Sequence, residues 1–328
     1  MTLLEDAKER ASPSPRSTAF RGDGGRARGR ARAGGRWVVR VTILVLLAMF
    51  VHLLVTAKSL QWGVVGHYLT ASNIITGLTR TIYLTAIAMA AGIVIGTIVA
   101  LMRQSRSALI SGTASSYIWF FRGTPLLVQI IFWYNIASFV PRVSLGVPFG
   151  PSFVSADVNH LVTPLVAAVL ALGLNEGAYM SEIIRAGILS VDPGQMEAAL
   201  ALGMTKRLAM RRIVLRQALR VVIPPTGNQT ISMLKGTSLV SVISMAELLY
   251  SVQLIYNTTF QTIPLLVVAS IWYLIITTVL SIGQFYLERH LARSSSKPPP
   301  SSPLPLINES LRRMFTGDRR TFAAGRAQ

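Results

Sequence analysis

Hydrophobic residues in this chain run in long blocks, not in the short alternation of strands or the one-sided stripes of soluble helices. Residues 41–57, 81–102, 123–141, 158–175 and 248–287 contain no Asp, Glu, Lys or Arg. Several of these blocks reach the roughly 20 residues that a helix needs to cross a bilayer. The pattern predicts an all-α, polytopic membrane protein of about six helices, with spans near 39–57, 73–102, 114–139, 160–188, 222–243 and 264–287.

Composition and charge sharpen that picture. Of the 328 residues, 51% are hydrophobic and 14% charged, with mean hydropathy +0.50; ordinary soluble domains carry about 25% charged residues. The formal charge of +19 would by itself suggest a nucleic-acid partner, but it is unevenly placed. One set of segments holds Lys8, Arg10, Arg16, Arg21, Arg26, Arg28, Arg30, Arg32 and Arg36, then Arg103 and Arg106, then Lys206 to Arg220, then the tail from Arg289. The alternate set offers only Lys58 and Arg142, with Arg80 close to the start of the second span. The positive-inside rule therefore predicts both termini in the cytoplasm. The tail from Arg26 to Arg32 resembles arginine-glycine RNA-binding segments, yet it ends at an apolar span and is expected to anchor against anionic lipid, with no nucleic-acid partner.

The predicted domains are a basic disordered cytoplasmic tail (1–37), an extra N-terminal helix with an external loop (38–72), a transmembrane domain (73–290) and a disordered cytoplasmic tail (291–328). Val55-Thr56-Ala57 could end a signal peptide, but the apolar stretch exceeds the usual 7–15 residues, so a retained helix is expected. Cysteine is absent, and His52, His67, His160 and His290 show no metal-binding spacing, so neither metal nor cofactor is expected. The aromatics Trp119, Trp133, Tyr134, Trp272 and Tyr273 are expected at interface belts or in helix packing.

Charges inside spans are costly and mark candidate function. Glu176 and Lys235 fall near the middle of spans four and five, where a carboxylate and an ammonium would complement a zwitterionic amino acid. Asn175, Asn228 and Ser238 complete this candidate substrate pathway; the alternative is that Glu176 and Lys235 simply pair with each other. Glu182 and Arg185 are expected as a structural i, i+3 pair. Gly123 and Pro125 predict a kink in the cytoplasmic half of span three, where Arg122 would snorkel or cap carbonyls.

The segment from Ser190 to Pro225 is punctuated as a helical hairpin. Asp192 reads as an N-cap, Pro193 as the first helical residue and Gln195 as the return half of a capping box; the helix 193–202 then ends at Gly203. A second helix starts after Thr205, presents Arg212, Arg216 and Arg220 on one face, and is expected to break at Pro224-Pro225.

Glu197-Ala198-Ala199, three residues, Gly203, nine residues, then Ile213-Val214-Leu215 resembles the EAA loop of ATP-binding-cassette importer permeases. The pattern closes with proline where this chain has Arg216. Phe120 to Gln129, Gly177 to Gly187, and Pro225 to Ser241 with Asn228, Lys235, Thr237, Ser238 and Leu239 are similar to the polar amino-acid branch (histidine, glutamine, glutamate, arginine, opines). The resemblance spans roughly 73–290 and implies the type I importer, methionine-permease-like fold. It further implies that Glu197, Ala198, Ala199 and Gly203 couple to separate ATPase subunits, beside a second permease copy or a homologous permease. An extracytoplasmic solute-binding protein and a polar amino-acid substrate complete the implied assembly. The segment from Ala246 to Val252 looks like a short helix at the outer gate, with Glu247 either contacting the binding protein or solvated.

No G-x-x-x-x-G-K-[S/T] occurs, so the chain is expected to be a transport subunit and not an enzyme. The rival functions are an ion-coupled secondary transporter or channel, against which no second copy of any segment is found, and an RNA-binding scaffold using the N-terminal tail.

Overall fold

The structure, a computed structural model, describes residues 24–146 and 152–292. Expectations for the tails at 1–23 and 293–328 lie outside those residues. The chain divides into two units, Met1–Ala57 with Arg312–Gln328, and Lys58–Leu311. The described part of the first is α1, Gly24–Thr56. Its apolar stretch, Trp37–Thr56, is 20 residues long and holds an 18-residue window of mean hydropathy 2.6. The helix begins well before the predicted start at 39.

The second unit opens with α2 (Trp62–Leu69) and α3 (Ser72–Arg103), followed by α4 (Ala108–Gly123) and α5 (Leu126–Tyr134). A two-stranded antiparallel hairpin, β1 (Arg142–Gly146) and β2 (Ser152–Asp157), pairs Arg142 with Asp157. This is a small exception to the all-α expectation. Asp157 then caps the short α6 (Val158–Leu161) by accepting from Asn159 N at 2.8 Å. There follow α7 (Pro164–Leu189), α8 (Pro193–Ala201), α9 (Lys206–Ala209), a π-helical turn (Met210–Val214) and α10 (Leu215–Gly236). A 3-10 segment (Thr237–Ile243) leads to α11 (Leu248–Thr259) and α12 (Thr262–Ala292).

Among the described residues, three helices are each long and apolar enough to cross a membrane alone: Trp37–Thr56, Ser72–Arg103 and Thr262–Leu291. Lys206–Ile243 with Leu248–Thr259, bent by 45°, makes a fourth if taken as one span. The other predicted spans are helical but either broken or charge-bearing. Span three is two helices, α4 and α5, and α7 carries Glu176, Glu182 and Arg185.

Packing explains how these interrupted helices are tolerated. Lipid offers no hydrophobic drive for helix association, so close approach through small residues takes its place. Gly92 and Gly96 of α3 face α7, and Gly173 and Gly177 of α7 face α3. A Cβ on Gly92 would lie 2.5 Å from Glu176 Cγ, one on Gly96 2.6 Å from Met180 Cβ, and one on Gly177 2.6 Å from Ile95 Cγ2. One buried cluster joins Leu84 and Ala88 of α3, Ile130 of α5, Ala168 and Leu172 of α7, and Met233 of α10. A second joins Val65 of α2, Ile74 of α3, Leu248 of α11 and Leu265 of α12.

Pro224 and Pro225 do not break the run as predicted; α10 continues through both to Gly236. Gln284 of α12 packs on the helix at Gly227, where a Cβ would lie 2.9 Å from its Cδ, and donates from Nε2 to Pro224 O at 3.3 Å. Ending a helix inside a bilayer would orphan more backbone groups than two prolines do, so continuation is favoured. The π-turn at 210–214 is the irregularity nearest the point where Arg216 replaces the pattern's proline.

Candidate functional site

The hairpin forms as its punctuation predicts, with one difference. Asp192 Oδ1 accepts from Gly194 N at 2.7 Å and opens α8. Gln195 does not complete a capping box; its Oε1 accepts from Gln217 Nε2 at 3.0 Å and ties α8 to α10. The tertiary partner wins because α10 folds back alongside and offers a donor that the local backbone no longer needs to supply. At the other end Gly203 has φ +79°, and Met204 N donates to Ala199 O at 3.1 Å while Gly203 N donates to Leu200 O at 2.9 Å. That pair of bonds is the Schellman termination, which needs a left-handed residue. Ala199 is buried (1% exposed) within the hairpin, so it serves internal packing. Glu197, Ala198 and Gly203 are exposed, beside Leu200 and the 84% exposed Leu202.

At mid-span, Glu176 is 3% exposed. Its Oε2 accepts from Gln229 Nε2 of α10 at 3.3 Å, while Oε1 has no hydrogen-bond partner. The alternative, a pairing of Glu176 with Lys235, is not formed; the carboxylate that does form ion pairs is Glu182, with Arg103 and Arg185. Lys235 is exposed on α10, in line with Asn228 and Ser232, so the three make a polar stripe with i, i+4, i+7 spacing. Ser238 Oγ donates to Lys235 O at 2.7 Å.

Asn175 is committed to the break in span three. Pro125 has no N–H, so Phe121 O loses its helical donor. Asn175 Nδ2 (2.9 Å) and Gln129 Nε2 (3.0 Å) both donate to that carbonyl. Gln129 Nε2 also reaches Thr124 Oγ1 at 2.7 Å, and Asn175 Nδ2 lies 3.2 Å from Gln129 Oε1. The break therefore keeps its backbone satisfied without water. Arg122 is exposed, and its guanidinium stands over the Tyr179 ring of α7, 5.2 Å from the centroid.

Glu182 behaves as expected and does more. Its Oε2 pairs with Arg185 Nη2 at 3.0 Å, and its Oε1 pairs with Arg103 Nη1 of α3 at 2.6 Å, so the two helix ends are pinned together. Glu247 departs from both alternatives considered. It is 0% exposed, neither solvated nor on an outer surface. Its carboxylate caps α11, accepting from Leu249 N at 2.8 Å and Tyr250 N at 2.7 Å, and accepts from Tyr273 OH at 3.0 Å. Three donors aimed at one carboxylate hold it inside. Tyr273 and Trp272 are packing residues, the latter donating to Leu69 O at 2.8 Å.

Sequence reasoning missed Gln229, Gln217, Gln129 and Arg103. The run Thr226, Asn228, Gln229 and Thr230 in the middle of a helical pattern was the available signal for the first. The remaining three depend on which helices meet.

The family described as binding-protein-dependent transport system inner membrane component matches over residues 92–293. The chain is 44% identical over 269 residues to the arginine transport system permease protein ArgU of Corynebacterium glutamicum, covering 81% of this chain and 83% of that protein. A crystal structure of an amino acid ABC transporter with histidines matches at TM-score 0.57 and 37% identity, over 66% of this chain and 94% of that one. A chain of the MetNI methionine ABC transporter, 15% identical, covers 67% of this chain and 97% of that chain at TM-score 0.53 and so shares its fold.

Proposed function

The chain belongs to the family of binding-protein-dependent transport system inner membrane components, and from that premise we propose that it passes a polar amino acid, arginine being the first to test, across the cytoplasmic membrane. It is the transport subunit; separate ATPase subunits supply the energy, and an extracytoplasmic solute-binding protein delivers the substrate. The exposed surface of α8 around Glu197, Ala198 and Leu200 docks on the ATPase, with Ala199 packed inside the hairpin and Gly203 turning the chain at the end of α8. Both termini and the hairpin lie in the cytoplasm.

The observation that carries the pathway is Glu176, buried at mid-span with one carboxylate oxygen unpartnered. On the adjoining α10, Asn228, Ser232 and Lys235 form an exposed polar stripe that lipid would not solvate. The stripe lines a path shared with a second copy or a homologous permease, and Glu176 recognises the cationic part of the substrate. Asn175 supports the path by holding the α4–α5 break, and Ser238 by its place beside Lys235.

The test is uptake of labelled arginine by proteoliposomes containing this chain, a cognate ATPase and a binding protein. Uptake that requires ATP and the binding protein is expected. Uptake driven by an ion gradient without ATP would favour the secondary-transporter reading.

A further inference from the structure

A groove of about 290 Å³ runs between α3, α7 and α10, lined by Ile93, Thr97, Ile184, Leu215, Leu219 and Val222 among others. Ile93, Leu215 and Leu219 are exposed, so the groove opens outward from the helix bundle. It lies on the opposite face of α10 from the polar stripe. Leu219 and Asn228, Ile223 and Ser232, and Thr226 and Lys235 are each nine residues apart, about two and a half turns at 3.6 residues per turn. A helix whose polar side faces an aqueous path turns this side to the hydrocarbon.

Arginines stand at the end of the groove nearest the hairpin. Arg212 and Arg216 are exposed and fall within about one turn of Leu215 and Leu219. Among the described residues neither takes part in an ion pair. Arg216 is also where the chain departs from the EAA pattern, which has proline there. Coupling to an ATPase does not account for an arginine at that step together with an apolar groove beside it.

An apolar trough ending at guanidinium groups matches one chemistry, an acyl chain joined to an acidic head group. Arginine meets phosphate through a planar fork of N–H donors, and basic sites between helices on the cytoplasmic side capture anionic head groups. We propose that an anionic phospholipid of the cytoplasmic leaflet binds here, one acyl chain in the groove and its phosphate on Arg212 and Arg216. The bound lipid holds α10 against α3 and α7 next to the coupling hairpin. The leaflet assignment rests on the cytoplasmic placement, proposed above, of the turn from α8 to α9.

The experiment uses the full chain assembled with its ATPase, purified from bilayers of phosphatidylcholine and phosphatidylglycerol at a known ratio, with retained lipid identified by native mass spectrometry. Wild type is expected to enrich phosphatidylglycerol about tenfold over its bulk share. The Arg212→Gln, Arg216→Gln double variant should return the ratio to the bulk value, and Leu219→Trp, which fills the groove from an exposed position, should lose both lipids. Equal retention of the two lipids by wild type, or undiminished phosphatidylglycerol on the double variant, overturns the proposal. Loss of the ATPase from the double variant with phosphatidylglycerol still bound would assign the arginines to a protein contact instead, which also overturns it. Uptake is measured on the same samples: lipid selectivity that depends on the arginines in a preparation without ATP-driven uptake supports the lipid site while counting against the permease function.

Discussion

Glu176 and Glu247 are both buried carboxylates, yet their surroundings give them opposite roles. Glu247 has donors on both oxygens, two of them backbone N–H groups at the start of α11. Removing such a cap costs about 1–2 kcal/mol, and leaving Tyr273 OH and two amides unpaired in the interior adds to that. Glu247→Ala is therefore expected to lower the thermal midpoint of the purified protein clearly, and Glu247→Gln to lower it less, since the amide oxygen still accepts. A midpoint for Glu247→Ala equal to wild type would remove the carboxylate from its structural role. Glu176 has one weakly held oxygen and one without a partner. Glu176→Gln keeps the shape against Gly92 and should leave the thermal midpoint near wild type while reducing arginine uptake at least about tenfold, the loss of a charge-assisted contact. Undiminished uptake with an unchanged substrate range would return Glu176 to helix packing.

At the scale of elements, the hairpin is a cap, a short helix and a left-handed stop. Gly203 has open space around it but φ +79°, so the penalty for a side chain comes from backbone geometry and not from crowding. Gly203→Ala should cost about 1–2 kcal/mol of local stability, and Gly203→Val more, because a branched Cβ is less compatible with that geometry. The readout is hydrogen exchange at residues 196–206 together with substrate-stimulated ATP hydrolysis; equal behaviour of the two variants would argue against the left-handed stop as a coupling requirement. Glu197 is exposed, so Glu197→Lys reverses a surface charge without disturbing the fold. Its effect on ATPase pull-down should be larger at low salt than at high salt, since exposed charges are screened within roughly 10 Å at 0.1 M. The same association at both ionic strengths would remove Glu197 from the interface. Gln195 and Gln217, missed as a pair because they lie on different helices, give α8 a direct hold on α10, and α10 carries Gln229 to Glu176.

For the whole molecule, the distribution of Lys and Arg predicts cytoplasmic reporter signals after residues 36, 110, 205 and 300, and external signals near 150 and 260. An external signal at 205 would sink the coupling role of the hairpin. Deleting residues 1–36 should leave uptake intact, since family membership is carried by residues 92–293.

Much of this was legible in the chain itself. Charge-free blocks, alternate basic loops and the cap-to-glycine hairpin are local signals, set by the cost of charge in hydrocarbon and by the few residues able to start or stop a helix. The EAA loop stood out because its spacing is short-range. What tertiary structure decided was every outcome depending on a neighbour far along the chain. α10 runs on through Pro224-Pro225 with Gln284 packed against it, Asn175 serves the orphaned Phe121 carbonyl, and Gln195 turns from its own helix to Gln217. Glu247 is interior because Tyr273 and the start of α11 surround it. Polar groups within a bilayer must find partners, and which partner is near enough is a property of helix packing, here set by glycines that bring α3 and α7 within contact.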